Sequence, residues 1–288
     1  MRLLDTETGQ FLEIAKPTDK TYAILSHTWD GQEQTYEELR DIQAAHEPPK
    51  LLEKIRGACG YARANGHRYI WIDSCCIDKS SSAELSEAIN AMYKWYQFAA
   101  VCYVFLSDVA EEVRGDEDRG DFYYSRWHTR GWTLQELLAP AAVVFLSKDW
   151  RYLGTKLTLA RQLEYRLNIP YIVLTHMVAL ETFNVAERFA WAADRETTRV
   201  EGRAYCLLGL FGANMPLLYG EGDRAFYRLQ QAIWAQTADH TIFAWTPIES
   251  TGVNGMQAWG PGGLSTASGS PGQVPVPTYC CSTSTPPP

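Results

Sequence analysis

A chain of 288 residues exceeds the usual single-domain size, so one large α/β unit with an extension, or two smaller units, is expected. Apolar residues at 46% and aromatics at 12%, with 10 Trp, exclude a chain that is disordered over most of its length. The formal net charge of -8, with no dense Lys/Arg cluster, removes the electrostatic basis for unspecific phosphate-backbone binding, and nucleic acid is not an expected partner.

In chain order, Met1-Arg-Leu-Leu-Asp5 lacks the apolar stretch of a signal peptide, and no run reaches the roughly 18 apolar residues of a membrane span. A cytoplasmic protein is expected. Four short β-rich runs then alternate with amphipathic stretches: Tyr22–Ser26, Tyr69–Asp73, Val101–Ser107 and Val143–Ser147. Their continuous apolar character, rather than strict alternation, predicts strands covered on both faces, as in a parallel sheet flanked by helices. Helices are predicted from Tyr36 to about Ala45, from about Leu51 to Asn65, and after Ser81-Ser-Ala-Glu84, whose spacing is that of a capping box and which places Leu85, Ile89, Met92 and Tyr96 on one face. After Trp150 the chain reads as mainly helical, with stretches near 186–193, 201–210 and 223–236, the last carrying Phe226, Leu229 and Ile233 on one face. Beyond about Pro247 it is rich in Gly, Ser, Thr and Pro, and a poorly ordered tail is expected over 247–288. The expected organisation is an α/β core over 1–150 and a helical extension over 151–246 packed on it.

The seven cysteines include the adjacent pairs Cys75-Cys76 and Cys280-Cys281 and show no C-x-x-C spacing, which suggests neither zinc nor a disulfide framework. Cys102 and Cys206 lie in apolar runs and read as small buried hydrophobes. His128, His176 and His240 are isolated and show no metal-ligand spacing.

Three blocks, in order, resemble the signatures of the fungal heterokaryon incompatibility (HET) domain: Ala23-Ile-Leu-Ser-His-Thr-Trp29, Trp71-Ile-Asp-Ser-Cys-Cys-Ile-Asp-Lys79 and Gly131-Trp-Thr-Leu-Gln-Glu-Leu-Leu-Ala-Pro140. Arg195–Arg199, Ala204–Gly209 and Met215–Gly222 are similar to the segment C-terminal to the domain in many members. The resemblance implies a module of growth arrest or cell death that acts when genetically different fungal cells fuse, under the control of a further domain or a regulatory partner protein. HET domains are in turn distantly similar to TIR domains, which implies a flavodoxin-like, TIR-like, mostly parallel sheet. Trp132-Thr-Leu-Gln-Glu136-Leu137 resembles the block in which NAD-cleaving TIR domains carry their catalytic glutamate, so the resemblance puts that role on Glu136.

That chemistry suits a lone carboxylate. Breaking the nicotinamide–ribose bond of NAD+ expels a neutral leaving group from a cationic ring, so departure needs no general acid; what remains is to stabilise an oxocarbenium-like centre and hold the ribose hydroxyls. NAD+ would be a substrate, with no cofactor or metal, and ADP-ribose, linear or cyclised, the product. The resemblance also implies self-association on activation. Ser26, Asp73 and Ser107 close apolar runs, and open parallel sheets bind ligands beyond the carboxyl ends of their strands. Ser26, His27, Trp29, Asp30, Asp73 and Trp132 are therefore the expected substrate contacts, the tryptophans by stacking and Asp30 and Asp73 by accepting from ribose hydroxyls. Thr133 stands where TIR domains often have Cys, and the first loop reads His-Thr-Trp rather than an aromatic-Arg-Gly type.

Three other readings compete. A self-assembling signalling scaffold would use the same residues for packing and kill through partners. A Cys/His hydrolase would join Cys75 or Cys76 to His27. Gly220-Glu-Gly222 as a phosphate loop lacks the Lys-Ser/Thr ending of a P-loop and reads as a turn before a helix, as Asp78-Lys79 reads as a solvated turn.

Overall fold

A computed structural model of the chain describes residues 1–45, 51–110 and 120–244. The tail expected over 247–288 lies outside the described residues. A seven-stranded mixed sheet forms the centre, flanked by helices, and a largely helical C-terminal half packs on it. In chain order the first half comprises β1 (Arg2–Asp5), β2 (Phe11–Glu13), β3 (Ala23–His27), α1 (Tyr36–Ala44), α2 (Glu53–Ala64), β4 (Tyr69–Trp71), α3 (Asp73–Cys76), α4 (Ser82–Phe98), β5 (Val101–Phe105), α5 (Asp121–Tyr124), α6 (Thr133–Leu138), β6 (Val143–Leu146) and β7 (Tyr152–Thr155). The second half holds α7 (Ala160–Leu167), α8 (Tyr171–Leu174), α9 (Val185–Ala190), α10 (Gly202–Tyr205) and α11 (Arg224–Trp234), with short 3-10 turns between them.

The sheet order is β2-β1-β4-β3-β5-β6-β7. The inner four strands are parallel, and every residue of β3 and of β5 is buried, as their unbroken apolar runs require. Counted in chain order, these four strands run 2-1-3-4 across the sheet, the flavodoxin-like order. The connection from β3 leaves to one side through α1 and α2, and that from β4 crosses back through α4. The carboxyl ends of β3 and β5 are therefore the point where the winding reverses.

Three outlying antiparallel strands escape the sequence patterns. Residues of β1 pair antiparallel with both β2 and β4, and β7 pairs antiparallel with β6. Only Leu3, Leu4 and Asp5 of β1 are buried, and β7 is interrupted by Gly154, so neither carries a long apolar run. The predicted strand ending at Asp73 stops at Trp71 instead, and Asp73 opens α3.

Helix starts follow local chemistry, with one exchange of partners. Ser81 caps α4 by accepting from the Glu84 amide at 3.3 Å. The Glu84 carboxylate, which would complete a capping box, turns instead to the Asp78 amide at 2.8 Å and to Arg2 of β1 at 2.9 Å. Complete capping boxes form at Thr35 with Glu38 and at Asn184 with Glu187. In α11 the buried stripe is Ala225, Leu229 and Ile233, with Phe226 half-buried beside it.

Helix α6, which carries Glu136, is pinned from its far end. Lys156, just past β7, is buried and donates to the carbonyls of Leu137 at 3.1 Å and Pro140 at 2.6 Å, satisfying carbonyl groups that the end of the helix leaves open. Its amine lies 2.9 Å from His176 Nε2, and burial pushes its pKa down to about 8.

Candidate functional site

At the carboxyl end of β3, Ser26 is completely buried and its hydroxyl donates to Glu136 in a very short hydrogen bond. Ser26 Oγ in turn accepts from the Trp127 indole at 2.7 Å. Trp127 is held by edge contacts with His128 and Phe145. From α4, the Tyr96 hydroxyl donates to the Leu25 carbonyl at 3.1 Å and also hydrogen-bonds Glu136.

An indole N–H only donates, so the single Ser26 proton goes to Glu136 Oε2. Burial raises the Glu136 pKa from 4.5 to about 8, favouring the protonated form; the Asp73 charge adds to this, and the Ser26 and Tyr96 hydrogen bonds oppose it, as donors to a carboxylate do.

Above this core lies a charged rim. Asp30 accepts from Ser107, beyond β5, and from Thr28 at 3.1 Å, and pairs with Arg126 at 2.8 Å, so it spans the reversal point from β3 to β5. Burial works against its charge, but these hydrogen bonds and the Arg126 charge outweigh it and hold the carboxyl below its ordinary range. Arg126 also approaches Asp108 at 3.5 Å. Glu33 is nearly enclosed and pairs with Lys54; burial alone would raise it, yet His27 and Lys54 hold it at about 2. The His27 ring is buried between two carboxylates, 3.5 Å from Glu33 and 3.8 Å from Asp73, with neither ring nitrogen in a hydrogen bond. Trp29 donates to Asp73 at 3.2 Å, and Lys79 lies 3.7 Å from the centre of its ring. Lys79 is thus a half-buried cation on an aromatic face rather than a solvated turn residue, and burial lowers its pKa.

Of the seven residues singled out in the sequence, Ser26 and Glu136 meet in the core, while His27, Trp29, Asp30 and Asp73 gather on the rim. Trp132 takes no part in these bonds; its half-buried ring precedes α6 and packs on the hydrophobic core. The sequence reading missed Tyr96, Trp127, Glu33, Lys54 and Arg126 as site residues. Tyr96 shows as a member of the apolar face of α4; the other four sit in no motif.

The competing sites are otherwise employed. Cys75 and Cys76 are buried and turn to the Ile72 backbone, and hydrogen bonding to Cys76 together with burial holds the Cys75 thiol well above its ordinary value, the opposite of an activated nucleophile. Gly220 and Gly222, both at positive φ, present their amides to Glu201 at 2.8 and 3.1 Å, so this loop cradles the protein's own carboxylate. Among the described residues, no group of three or more His, Cys, Asp or Glu has the arrangement to hold a metal ion, and no helix is long and apolar enough to cross a membrane.

Fold and site together define a doubly wound α/β protein with a polar centre at the switch point of its sheet. Residues 22–121 match the family described as heterokaryon incompatibility protein (HET), a span that includes Ser26, His27, Trp29, Asp30 and Asp73 and stops short of Trp132 and Glu136. The chain is also 43% identical over 245 residues to the vegetative incompatibility protein HET-E-1 of Podospora anserina. It is a fungal HET-domain protein, homologous to that relative. The match covers 81% of this chain and 18% of HET-E-1, so the chain spans under a fifth of the length of that relative. No solved structure matches the chain.

Proposed function

We propose that this chain is a death-inducing module of vegetative (heterokaryon) incompatibility that acts by assembling with further copies and with a regulatory incompatibility partner, rather than by chemistry at Glu136. The observation that carries this reading is the setting of Glu136: enclosed, with burial favouring its protonated form, and with its hydrogen bonds to Ser26 and Tyr96 made inside the protein. Asp30 and Asp73, the groups suited to ribose hydroxyls, are likewise bonded to Ser107, Arg126 and Trp29. The name of the Podospora relative, a vegetative incompatibility protein, supplies the biological setting.

A second reading, hydrolysis of NAD+ to nicotinamide and ADP-ribose in a TIR-like manner, is favoured by one feature. Glu136 and Ser26 lie at the reversal point of a flavodoxin-like sheet, where such folds bind ligands. For that chemistry Glu136 has to lose its proton and be exposed by a change in the packing of Trp127 and Tyr96.

Glu136→Gln separates the two. Expressed in fungal cells, the variant is expected to kill as wild type does, and neither purified protein is expected to release nicotinamide from NAD+ at high protein concentration. Joint loss of toxicity and of a nicotinamide release seen in the wild type would establish the hydrolase instead.

A further inference from the structure

His176 occupies a backbone position that ordinarily goes to glycine. It follows α8 with φ at 56°, its amide donates to the Val173 carbonyl at 3.0 Å, and the Met177 amide donates to the Ile172 carbonyl at 2.9 Å. This is the left-handed helix terminus at which glycine is the usual residue and asparagine the usual substitute. What the imidazole does there is accept from Lys156.

The three N–H groups of the buried Lys156 amine meet three acceptors: the Leu137 carbonyl at 3.1 Å, the Pro140 carbonyl at 2.6 Å and His176 Nε2 at 2.9 Å. Among the described residues no carboxylate pairs with it, so its charge rests on this set. An ammonium has no lone pair, so Nε2 has to be the acceptor and the imidazole is neutral with its proton on Nδ1. A second proton on the ring removes the third acceptor and sets two cations 2.9 Å apart. His176 is an exposed residue, so that proton reaches it without an opening of the core.

The neighbouring titratable groups do not intervene. From β5 the Cys102 thiol faces Lys156 and is kept neutral by burial. On α7, Glu164 accepts from the Tyr171 amide at 2.7 Å and from Arg161 at 2.9 Å, and Arg166 donates to the Tyr123 carbonyl at 2.8 Å. The Tyr171 ring of α8 lies under Arg161. From α6 and the residues after it come only carbonyls.

We propose that Lys156 and His176 form a proton-operated latch on α6. With the imidazole neutral, the last carbonyls of the helix are tied down; a proton taken up by His176 undoes the tie and frees the end of the helix that carries Glu136. The latch governs the placing of Glu136 whether the module acts by assembly or by hydrolysis. Burial, and then the Lys156 charge, lower the His176 pKa from its ordinary 6.5, and the Leu138 carbonyl opposes them. Because the folded value lies below the unfolded one, the contribution of the latch is whole above 6.5 and is lost as the pH falls toward the folded value. Glu136 responds to acid in the opposite sense, so the test reads α6 itself rather than overall stability.

Histidine-ring resonances and amide hydrogen exchange of the full chain, followed from pH 7.5 downward, test the latch. His176 is expected to carry its proton on Nδ1 at pH 7.5 and to titrate below 6.5. Exchange of the α6 amides, taken relative to β5 and corrected for its intrinsic pH dependence, is expected to quicken about tenfold along that titration. His176→Asn suits the left-handed backbone and keeps a carbonyl acceptor but does not titrate, and is expected to hold α6 protection constant over the same range. Lys156→Met is expected to raise the His176 titration toward its ordinary value; if that variant does not fold, His176→Asn decides alone. A proton on Nε2 at pH 7.5, a titration at or above 6.5, or α6 protection that changes equally in wild type and His176→Asn would overturn the proposal.

Discussion

Replacing Glu136 with glutamine is expected to stabilise the native chain by about 3 kcal/mol at pH 7 and by little at pH 4. The buried carboxyl has a folded pKa of about 8 against an ordinary 4.5, because burial disfavours its charged form. Between those values the folded chain holds a proton that the unfolded chain has released. Unfolding therefore becomes easier as pH rises, by about 1.4 kcal/mol for each pH unit from 4.5 upward, and the loss levels off above about 8. Glutamine has no such dependence. Its side-chain carbonyl can accept from Ser26 as the carboxyl does. Urea titrations of both proteins at pH 4, 6, 7 and 8.5 measure the difference; a gap that does not widen with pH would show that Glu136 is charged in the native state. A cost of this size, kept in the core, is the kind that selection tolerates for function, whether that function is assembly or catalysis.

Gly209→Ala is expected to be the most damaging small substitution, at about 3 kcal/mol, the upper end of what overpacking costs. A Cβ at this position would sit 2.1 Å from Cβ and 2.6 Å from Cγ of Tyr93 on α4. The Tyr93 Cβ is bonded to the helix backbone and cannot swing aside. The 3-10 turn Gly209–Phe211 would have to lift off α4, and this is a contact by which the helical half is seated on the sheet-bearing half. Gly212→Ala supplies the comparison: its φ of 61° imposes strain, but nothing lies within 4 Å of the new atom, so about 1 kcal/mol is expected. Denaturation of the two variants side by side checks the order, and equal losses would show that the α4 contact yields readily.

The buried strands were legible because burial on both faces leaves its mark in consecutive residues, as in Val101–Phe105. The helices over 36–44 and 53–64 were legible for a similar reason, since caps and periodicity are local. What the sequence did not contain is partnership across distance. Glu84 has capping-box spacing from Ser81, yet Arg2, 82 residues away, helps take its carboxylate. Glu136 stood out through its resemblance block, but its setting depends on Ser26 of β3, itself held by Trp127, and on Tyr96 from another helix, and no local pattern records that. Likewise, Lys54 reads as one more surface cation on a helix until the loop after β3 brings Glu33 against it.

The two outer strands bear on how copies of this chain can come together. At one end of the sheet β2 offers three residues, and at the other β7 offers four, one of them a glycine. Such stubs present too few unpaired amides and carbonyls to template a continuous ladder between molecules. Among the described residues the sheet edges therefore disfavour growth of a shared ladder, and joining copies through helices and loops is favoured.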